Sequence, residues 1–254
     1  MISLLFPARG RFEKTKDVIE SAYDMSRFPD EVETIIRIDE DDTELVGQLD
    51  KMPRLPGLKF IIGDRMKGYA SLYSMVNELC GHANGDLMLL WSNDVWFKDK
   101  GWDEMYRDNW SKDDINIIHT ARDEHNVFGT QFPMITRRVY ELLGHYALHT
   151  SIDDYITWVG IRAGCGTYSK VLVFHDRIYD DVVAEEKETA IAEISMKSDF
   201  MSSEVQGKVR ADSIKLMRAK YSDAALCSDD ELSYIGDKNI CLFYGWPRLP
   251  WSWE

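Results

Sequence analysis

Ionisable and small polar side chains follow four short apolar runs in the first hundred residues. The clearest case is 87-LMLLW-91, which leads directly into Ser92-Asn93-Asp94. Carboxylate oxygens can hold a hard divalent cation, and arginines can pair with phosphate. The four segments that carry such groups are 7-PARGR-11, 39-DEDD-42, 63-GDRMKG-68 and 92-SND-94. If they meet in space, they could bind a metal ion and an anionic ligand.

The pattern of the chain predicts elements that would bring these segments together. Apolar runs predict strands at 2–6, 32–38, 58–62 and 87–91, with Pro7 ending the first, and helical spacing of apolar residues predicts helices over 13–25 and 68–83. Strands that are apolar throughout and alternate with helices favour a parallel sheet covered on both faces. Ligands of such sheets bind beyond the carboxyl ends of the strands.

The second half of the chain is more mixed. We predict a strand near 115–119, a helix from Thr136 to Leu143, a helix ending at Gly164, and a strand over 171–175. From about 184 to 220 the pattern is helical and highly charged, and the segment 240–254 is aromatic.

Composition limits the classes of function. The chain has 254 residues, 44% of them hydrophobic, and a formal net charge of −14, which disfavours a nucleic-acid partner. The widely spaced cysteines favour reduced thiols, and no run of 18 apolar residues occurs. We therefore expect a cytoplasmic protein without a membrane span. The oligomeric state stays open.

Four segments occur in an order that is typical of one family. They are 2-ISLLFPARGR-11, 35-IIRIDEDD-42, 68-GYASLYSMVNELCGHANGDLMLLWSNDV-95 and 151-SIDDYITWVGIRAG-164. This order resembles that of the GT-A glycosyltransferases, family 2-like. The most specific part is Asn77, then Gly85-Asp86, an apolar strand and the triplet Ser92-Asn93-Asp94.

The resemblance implies an α/β fold with a mixed, mainly parallel sheet flanked by helices. It assigns residues 1–180 to a nucleotide-sugar-binding and catalytic domain and residues 181–254 to a helical and aromatic extension packed on it. The implied activity is that of a hexosyltransferase, which moves a sugar from a nucleoside-diphosphate donor to a hydroxyl acceptor with inversion.

The resemblance also assigns the donor site. In the family the triplet is a D-x-D motif whose last acid binds the metal, so Asp94 would hold Mn2+ or Mg2+ with His175 as a second ligand. Ser92 replaces the first acid, which leaves metal dependence open. Asp39 corresponds to an acid that accepts the N–H of a uracil-like base, which favours a UDP-sugar. The remaining residues assigned to the donor are Pro7, Ala8, Arg9, Arg11, Arg65, Gly68, Asn77, Ser92 and Asn93.

Catalysis and acceptor binding are assigned to later residues. Inverting transfer needs a base that takes the proton of the acceptor hydroxyl. Counting back from Ala163-Gly164, the family register selects Asp153, with Asp154 as the alternative, although acids at a helix start also stabilise the helix itself. Trp96 or Trp102 could stack on a glycan acceptor. His119, His145 and His149 have no spacing that indicates a role.

Two other functions fit parts of the sequence, and a third is disfavoured by it. A GT-A-like domain that only binds nucleotide or glycan is compatible with Ser92, and a nucleotidyltransferase would use the same sheet. A nicotinamide-dependent oxidoreductase requires G-x-G-x-x-G after strand one, where this chain has P-A-R-G-R-F.

Overall fold

A computed structural model describes residues 1–66, 69–108, 110, 114–121, 132–176 and 199–244. The strands are β1 Ile2–Ala8, β2 Val32–Asp39, β3 Leu58–Gly63, β4 Leu87–Leu90, β5 Val95–Phe97, β6 Ile117–Ala121, β7 Met134–Thr136 and β8 Gly166–His175. The helices are α1 Phe12–Asp24, α2 Thr43–Val46, α3 Leu72–His82, α4 Trp102–Arg107, α5 Arg137–Leu143, α6 Ile152–Ala163, α7 Ser203–Lys220 and α8 Asp229–Tyr244. None of these helices is long and apolar enough to cross a membrane.

The strands form one mixed sheet in the order β3-β2-β1-β4-β7-β6-β8-β5. The first four are parallel, β7 runs antiparallel to both of its neighbours, β8 is parallel to β6, and β5 pairs antiparallel with β8. This arrangement confirms the predicted α/β class with a mainly parallel sheet. The carboxyl ends of β1 to β4 therefore share one edge.

Both faces of the sheet are buried. Alternate strand residues point to opposite faces, and each face packs against helices. On one face Leu5, Ile35 and Met88 pack in a cluster with residues of α3 and α6. On the other, Leu4 and Ile36 pack with residues of α1. This two-sided burial explains why the strands are continuously apolar.

The helices α7 and α8 pack on α6, which is buried from Tyr155 through Ala163. Apolar residues of both helices, such as Val209 and Ile240, belong to the same core cluster as Ile156. A helical C-terminal extension is therefore present in the described chain. The division at residue 180 stays a prediction, since residues 177–198 lie outside the described residues.

The prediction that Pro7 ends the first strand is wrong, because β1 continues to Ala8. The carbonyl of Leu5 accepts a hydrogen bond from Trp91 N (2.9 Å), so the backbone of Leu5 faces β4. Two residues later the nitrogen of Pro7 faces the same side. The β1–β4 ladder ends at Leu5, so the missing N–H of Pro7 costs no ladder bond.

Several elements were not predicted: β5, α4, β7 and α8. The strands β5 and β7 have three residues each, too short for a periodicity to register. The strand β8 begins at Gly166, five residues before the predicted start, where exposed and buried residues mix. Its early residues pair with β6, a contact that no local pattern indicates.

A buried acid anchors the turn that leads into β4. Glu33 accepts hydrogen bonds from Lys59 Nζ (2.7 Å), Ser3 Oγ (2.6 Å) and the backbone N–H groups of Asn84 (2.5 Å) and Gly85 (3.1 Å). Burial raises the pKa of Glu33, but these bonds outweigh it and the pKa is lowered. A Cβ on Gly85 would lie 2.7 Å from Ser3 N, so only glycine fits. The glycine of the motif thus sets the register of β4 and the position of the triplet after it.

Candidate active site

The strand-end groups meet at the carboxyl edge of the parallel strands. Asp39 is the most deeply buried of the predicted site residues at this edge, with 3% of its side chain exposed. Its Oδ1 accepts from Arg37 Nη1 (3.2 Å) and from Met66 N (3.1 Å). Its Oδ2 accepts from Arg9 Nη1 (3.0 Å). Arg37 is itself buried and held by Glu78 (2.9 Å). Oδ1 of Asp39 is therefore held by buried groups, whereas Oδ2 binds the surface residue Arg9.

Arg9 is that surface partner, with 47% of its side chain exposed. It also binds Asp41 (Nη1–Oδ1 2.8 Å), which in turn pairs with Arg65 (3.0 Å). The hydrogen bond from Arg9 is the main cause that lowers the pKa of Asp41, and the same bond raises the pKa of Arg9. Two of the predicted phosphate-binding arginines thus lie together beside Asp39.

The acids after Asp41 have a structural use. Asp42 accepts from Gly10 N (2.6 Å) and caps α2 through Leu45 N (3.1 Å), and Glu44 accepts from Phe12 N (2.9 Å). These bonds hold the turn between β1 and α1, where Arg11 is exposed and has a left-handed φ of 54°. That conformation costs a non-glycine residue roughly 1–2 kcal/mol. Pro7 is half-buried and Ala8 is buried at the end of β1 just before this turn.

The second cluster of the site forms around Asp94. Antiparallel pairing of β5 with β8 sets Val95 opposite His175. His175 Nε2 then lies 3.1 Å from Asp94 Oδ2, and Ser92 Oγ donates to Asp94 Oδ1. Burial raises the pKa of Asp94, but the contacts with His175 and Ser92 and the charge of Lys14 outweigh it and the pKa is lowered. The carboxylate and the imidazole predicted as metal ligands are thus adjacent.

Residues of α1 that were not predicted complete this cluster. Lys14 Nζ lies 3.2 Å from Asp176 Oδ2, and Asn93 Nδ2 lies 3.4 Å from Thr15 Oγ1. Polar residues on a helix ordinarily mark its solvated face, so the sequence carries no signal for them. The start of α1 therefore closes one side of the site.

The two predicted acceptor tryptophans have different environments. Trp96 is half-buried, with Lys14 Nζ 5.5 Å from its ring and Phe174 at 6.1 Å. Phe174 is 52% exposed and was not predicted, although an exposed Phe in an alternating strand is a usable signal. The prediction for Trp102 is wrong, because its side chain has no exposed surface, stacks on Phe97 (3.9 Å) and donates to the Ala22 carbonyl (2.9 Å).

The side-chain amide of Asn77 holds the backbone of Tyr146 and Ala147 in place. Its Oδ1 accepts from Tyr146 N (2.7 Å) and Ala147 N (3.2 Å), and its Nδ2 donates to the Ala147 carbonyl (2.8 Å). The amide thereby ties α3 to the segment that leads into α6. A contact of Asn77 with the donor stays a prediction. Gly68 lies outside the described residues.

The candidate bases Asp153 and Asp154 are half-buried in the first turn of α6. Burial raises the pKa of Tyr146, and nearby charges, among them Asp153, raise it further. The hydroxyl of Tyr146 donates to the Pro133 carbonyl and also contacts the Leu90 backbone. Burial lowers the pKa of His149, and the charge of Asp154 is one of the influences that oppose this shift.

The ligands for a metal ion can be tested against these positions. The described residues contain no group of three or more His, Cys, Asp or Glu side chains that could hold an ion. Asp94 and His175 offer two adjacent metal ligands, one carboxylate oxygen and one imidazole nitrogen. Mg2+ is commonly bound through one or two carboxylates together with substrate phosphates and waters, and Asp94 is such a carboxylate. The pair fits an ion that shares its coordination with a bound diphosphate.

The fold is similar to that of solved glycosyltransferases. The mannosyltransferase PcManGT from Pyrobaculum calidifontis, solved with GDP-Man and Mn2+, matches with a TM-score of 0.59 over 98% of this chain and 76% of its own, at 10% identity. TarS 1-349 from S. aureus with UDP matches with a TM-score of 0.53 over 96% and 91%, at 12% identity. The chain has a GT-A-type fold.

The similarity to these solved proteins rests on the fold, because the sequence identities are only 10% and 12%. No family model and no curated protein matches the chain. TarS with UDP-GlcNAc has a TM-score of 0.50 at 10% identity, over 96% of this chain and 92% of its own. These values confirm the GT-A fold expected from the sequence. They leave the roles of individual residues as predictions.

Proposed function

We propose that this chain is a metal-dependent glycosyltransferase that moves a sugar, with inversion, from a nucleoside-diphosphate donor to a hydroxyl acceptor. The observation that carries the proposal is the pair Asp94–His175 at the end of β4, with a Nε2–Oδ2 distance of 3.1 Å, in a GT-A fold. The deeply buried Asp39 lies at the end of β2, on the same sheet edge. Solved proteins of similar fold carry GDP-Man with Mn2+, or UDP-GlcNAc.

The donor would bind across the two clusters. Asp39 Oδ2 accepts a base N–H, which favours a uracil-like base and hence a UDP-sugar. Arg9, Arg11 and Arg65 supply positive charge for the diphosphate. The other predicted donor contacts are Pro7, Ala8, Gly68, Asn77, Ser92 and Asn93. Ser92 also orients the Asp94 carboxylate through its hydrogen bond.

The metal would be held by Asp94 and His175. A bound Mn2+ or Mg2+ neutralises the negative charge that develops on the leaving diphosphate. The protein's own part is to keep both side chains at one point, which the β5–β8 ladder does. Lys14 adds a positive charge near the same place.

Asp153 would act as the base. Its carboxylate takes the proton of the acceptor hydroxyl while that oxygen attacks the sugar carbon from the face opposite the diphosphate. The register counted back from Ala163-Gly164 selects Asp153 over Asp154. Trp96 and the exposed Phe174 offer an aromatic surface for a glycan acceptor.

The test is thermal unfolding with UDP, GDP, CDP and dTDP and their sugars, each with and without Mn2+. If the ion and a diphosphate share ligands, both together should stabilise more than the sum of the two alone. Asp94→Asn should abolish this excess, and Asp86→Asn, a half-buried acid that pairs with the N-terminal amine at the other end of β4, is the matched control. A nucleotide shift that EDTA leaves unchanged would contradict metal dependence. Binding without sugar transfer to any acceptor would instead indicate a GT-A-like binding domain.

A further inference from the structure

A polar cleft of ≈ 590 Å³ lies between the residues that precede α6, the start of α3 and the first two turns of α7. His149 and Thr150 line it just ahead of the helix that carries the candidate bases Asp153 and Asp154. The charge of Asp154 acts on the His149 imidazole. The helix α3 follows β3, so its start lies toward the carboxyl edge of the sheet, where we propose the donor to bind. The polar cleft therefore opens beside the proposed base.

The buried polar side chain of this cleft is His149, which is 8% exposed. Its Nδ1 accepts a hydrogen bond from Ser151 N (3.0 Å), so Nδ1 carries no proton. Burial lowers the pKa of His149, which keeps the ring neutral at pH 7. A neutral imidazole has one N–H, so the proton lies on Nε2 and this nitrogen is a hydrogen-bond donor.

The carboxylate that Nε2 faces is too distant for a hydrogen bond. Asp199 Oδ2 lies 3.7 Å from His149 Nε2, and the side chain of Asp199 is 68% exposed. The N–H of His149 therefore points toward the open side of the cleft. Polar groups separated by more than about 3.5 Å are commonly bridged by an intervening oxygen. A hydroxyl between the two can accept from Nε2–H and donate to the Asp199 carboxylate.

The charges of the cleft favour a neutral ligand. Lys208 Nζ binds Glu204 Oε1 at 2.7 Å, and this bond is the main cause that raises the pKa of Lys208. An anion would compete with Glu204 for the lysine and would be repelled by Asp199. A cation would meet Lys208 and the N–H of His149. A sugar hydroxyl both donates and accepts, so it can be bound without breaking the ion pair.

The walls of the cleft also suit a sugar ring. Tyr73 and Leu148 are half-buried, and Val205 is buried, along its sides. Their apolar surface can pack against the C–H face of a pyranose, while the Tyr73 hydroxyl offers a further polar contact. The volume lies within the range of small-molecule sites.

We propose that the polar cleft binds a neutral sugar unit of the acceptor, with one hydroxyl of that unit bridging His149 Nε2 and Asp199 Oδ2. This acceptor role rests on the proposed glycosyltransferase function and adds to the aromatic surface on β5 and β8. His149 precedes α6, whereas Asp199 precedes α7. The helical C-terminal extension would thus take part in acceptor recognition.

The probes are the methyl glycosides of glucose, galactose and mannose, each compared with its uronide, which differs by a carboxylate at C6. Binding to the full chain is followed by ¹⁵N NMR of the histidine rings. The free chain should show His149 protonated at Nε2 and not at Nδ1. At least one neutral glycoside should shift the Nε2 resonance of His149 and bind more tightly than its uronide.

The matched variants are Asp199→Ala and Asp223→Ala. Both acids are exposed and belong to the C-terminal extension, and Asp223 is not among the described residues that line the cleft. Asp199→Ala should weaken glycoside binding roughly tenfold through the loss of a hydrogen bond to a charged group. Asp223→Ala should leave it unchanged. Equal weakening in both variants, tighter binding of the uronides, or a proton on Nδ1 would overturn the proposal.

Thermal unfolding with nucleoside diphosphates and Mn2+ separates this proposal from the proposed function. Stabilisation by a diphosphate together with no shift of His149 by any neutral glycoside would overturn the acceptor site and leave the transferase standing. A shift of His149 in a chain that binds no diphosphate would overturn the transferase and, with it, the acceptor role of the cleft.

Discussion

Replacing Arg9 by alanine should change the binding of a nucleoside and of its diphosphate in opposite directions. In the ligand-free chain Arg9 occupies Asp39 Oδ2 at 3.0 Å, the oxygen that we propose for the base N–H. Oδ1 is held separately by Arg37 and by Met66 N, so the acid keeps its position when Arg9 is removed. A base must therefore displace Arg9, which is then free to meet the phosphates.

The size of the effect follows from the exposure of the pair. Asp39 is buried, but Arg9 is 47% exposed and also bound to Asp41, so solvent screening reduces the Arg9–Asp39 contact to about 1 kcal/mol. Removing that competition should tighten uridine binding about fivefold. UDP gains the same factor but loses an arginine contact to phosphate. The preference for UDP over uridine should thus fall about tenfold or more.

The assay is calorimetric titration of wild type, Arg9→Ala and Arg65→Ala with uridine and UDP in the presence of Mn2+. Arg65 pairs with Asp41 at 3.0 Å and serves as the matched control, for which uridine affinity should not change. If the chain prefers another base in the donor screen, its nucleoside and diphosphate replace this pair. Uridine and UDP weakened by one common factor in Arg9→Ala would refute the reasoning, because Arg9 would then support Asp39 rather than cover it.

Two further predictions concern Asp153 and His119. Asp153→Asn should lower the rate of sugar transfer by roughly 10²–10⁴-fold and leave donor affinity unchanged, while Asp154→Asn should stay near the parental rate. Initial rates and donor titration measure these effects. If Asp154→Asn is the inactive variant instead, the base is Asp154. The pKa of His119 is about 4 in the folded chain and 6.5 when the ring is exposed. Between these pH values only the unfolded chain takes up the proton. The contribution of His119 to the free energy of unfolding therefore falls as the pH drops from 6.5 to 4. The free energy of unfolding of wild type, relative to His119→Phe, should decrease by about 3 kcal/mol over that range, and parallel pH profiles would contradict the burial of a neutral ring.

The arrangement of the first four strands was predictable from the sequence alone. Each strand is apolar throughout because both faces of the sheet are covered, and this leaves a local pattern of runs separated by helices. Parallel strands then place Asp39 and the end of β4 at one edge without any knowledge of contacts. These local features predicted the parallel α/β sheet, the resemblance of the motif segments implied the GT-A fold, and both are confirmed.

How deeply each of these acids and aromatics is buried, and what it contacts, was decided only by the tertiary structure. In the run 39-DEDD-42 one acid is buried under Arg9 while Asp42 holds a turn, although all four look alike in sequence. Trp96 and Trp102 differ in the same way, since burial depends on what packs against each ring and not on the residue type.

Contacts between distant residues account for the rest. Asp94 and His175 lie 81 positions apart and meet through a three-residue strand too short to predict. Lys14 reaches them from a helix, and His119 Nε2 is buried without a described partner where Gly166 lies close to it. Periodicity reports how one segment divides between core and solvent, whereas these positions depend on how separate segments pack together.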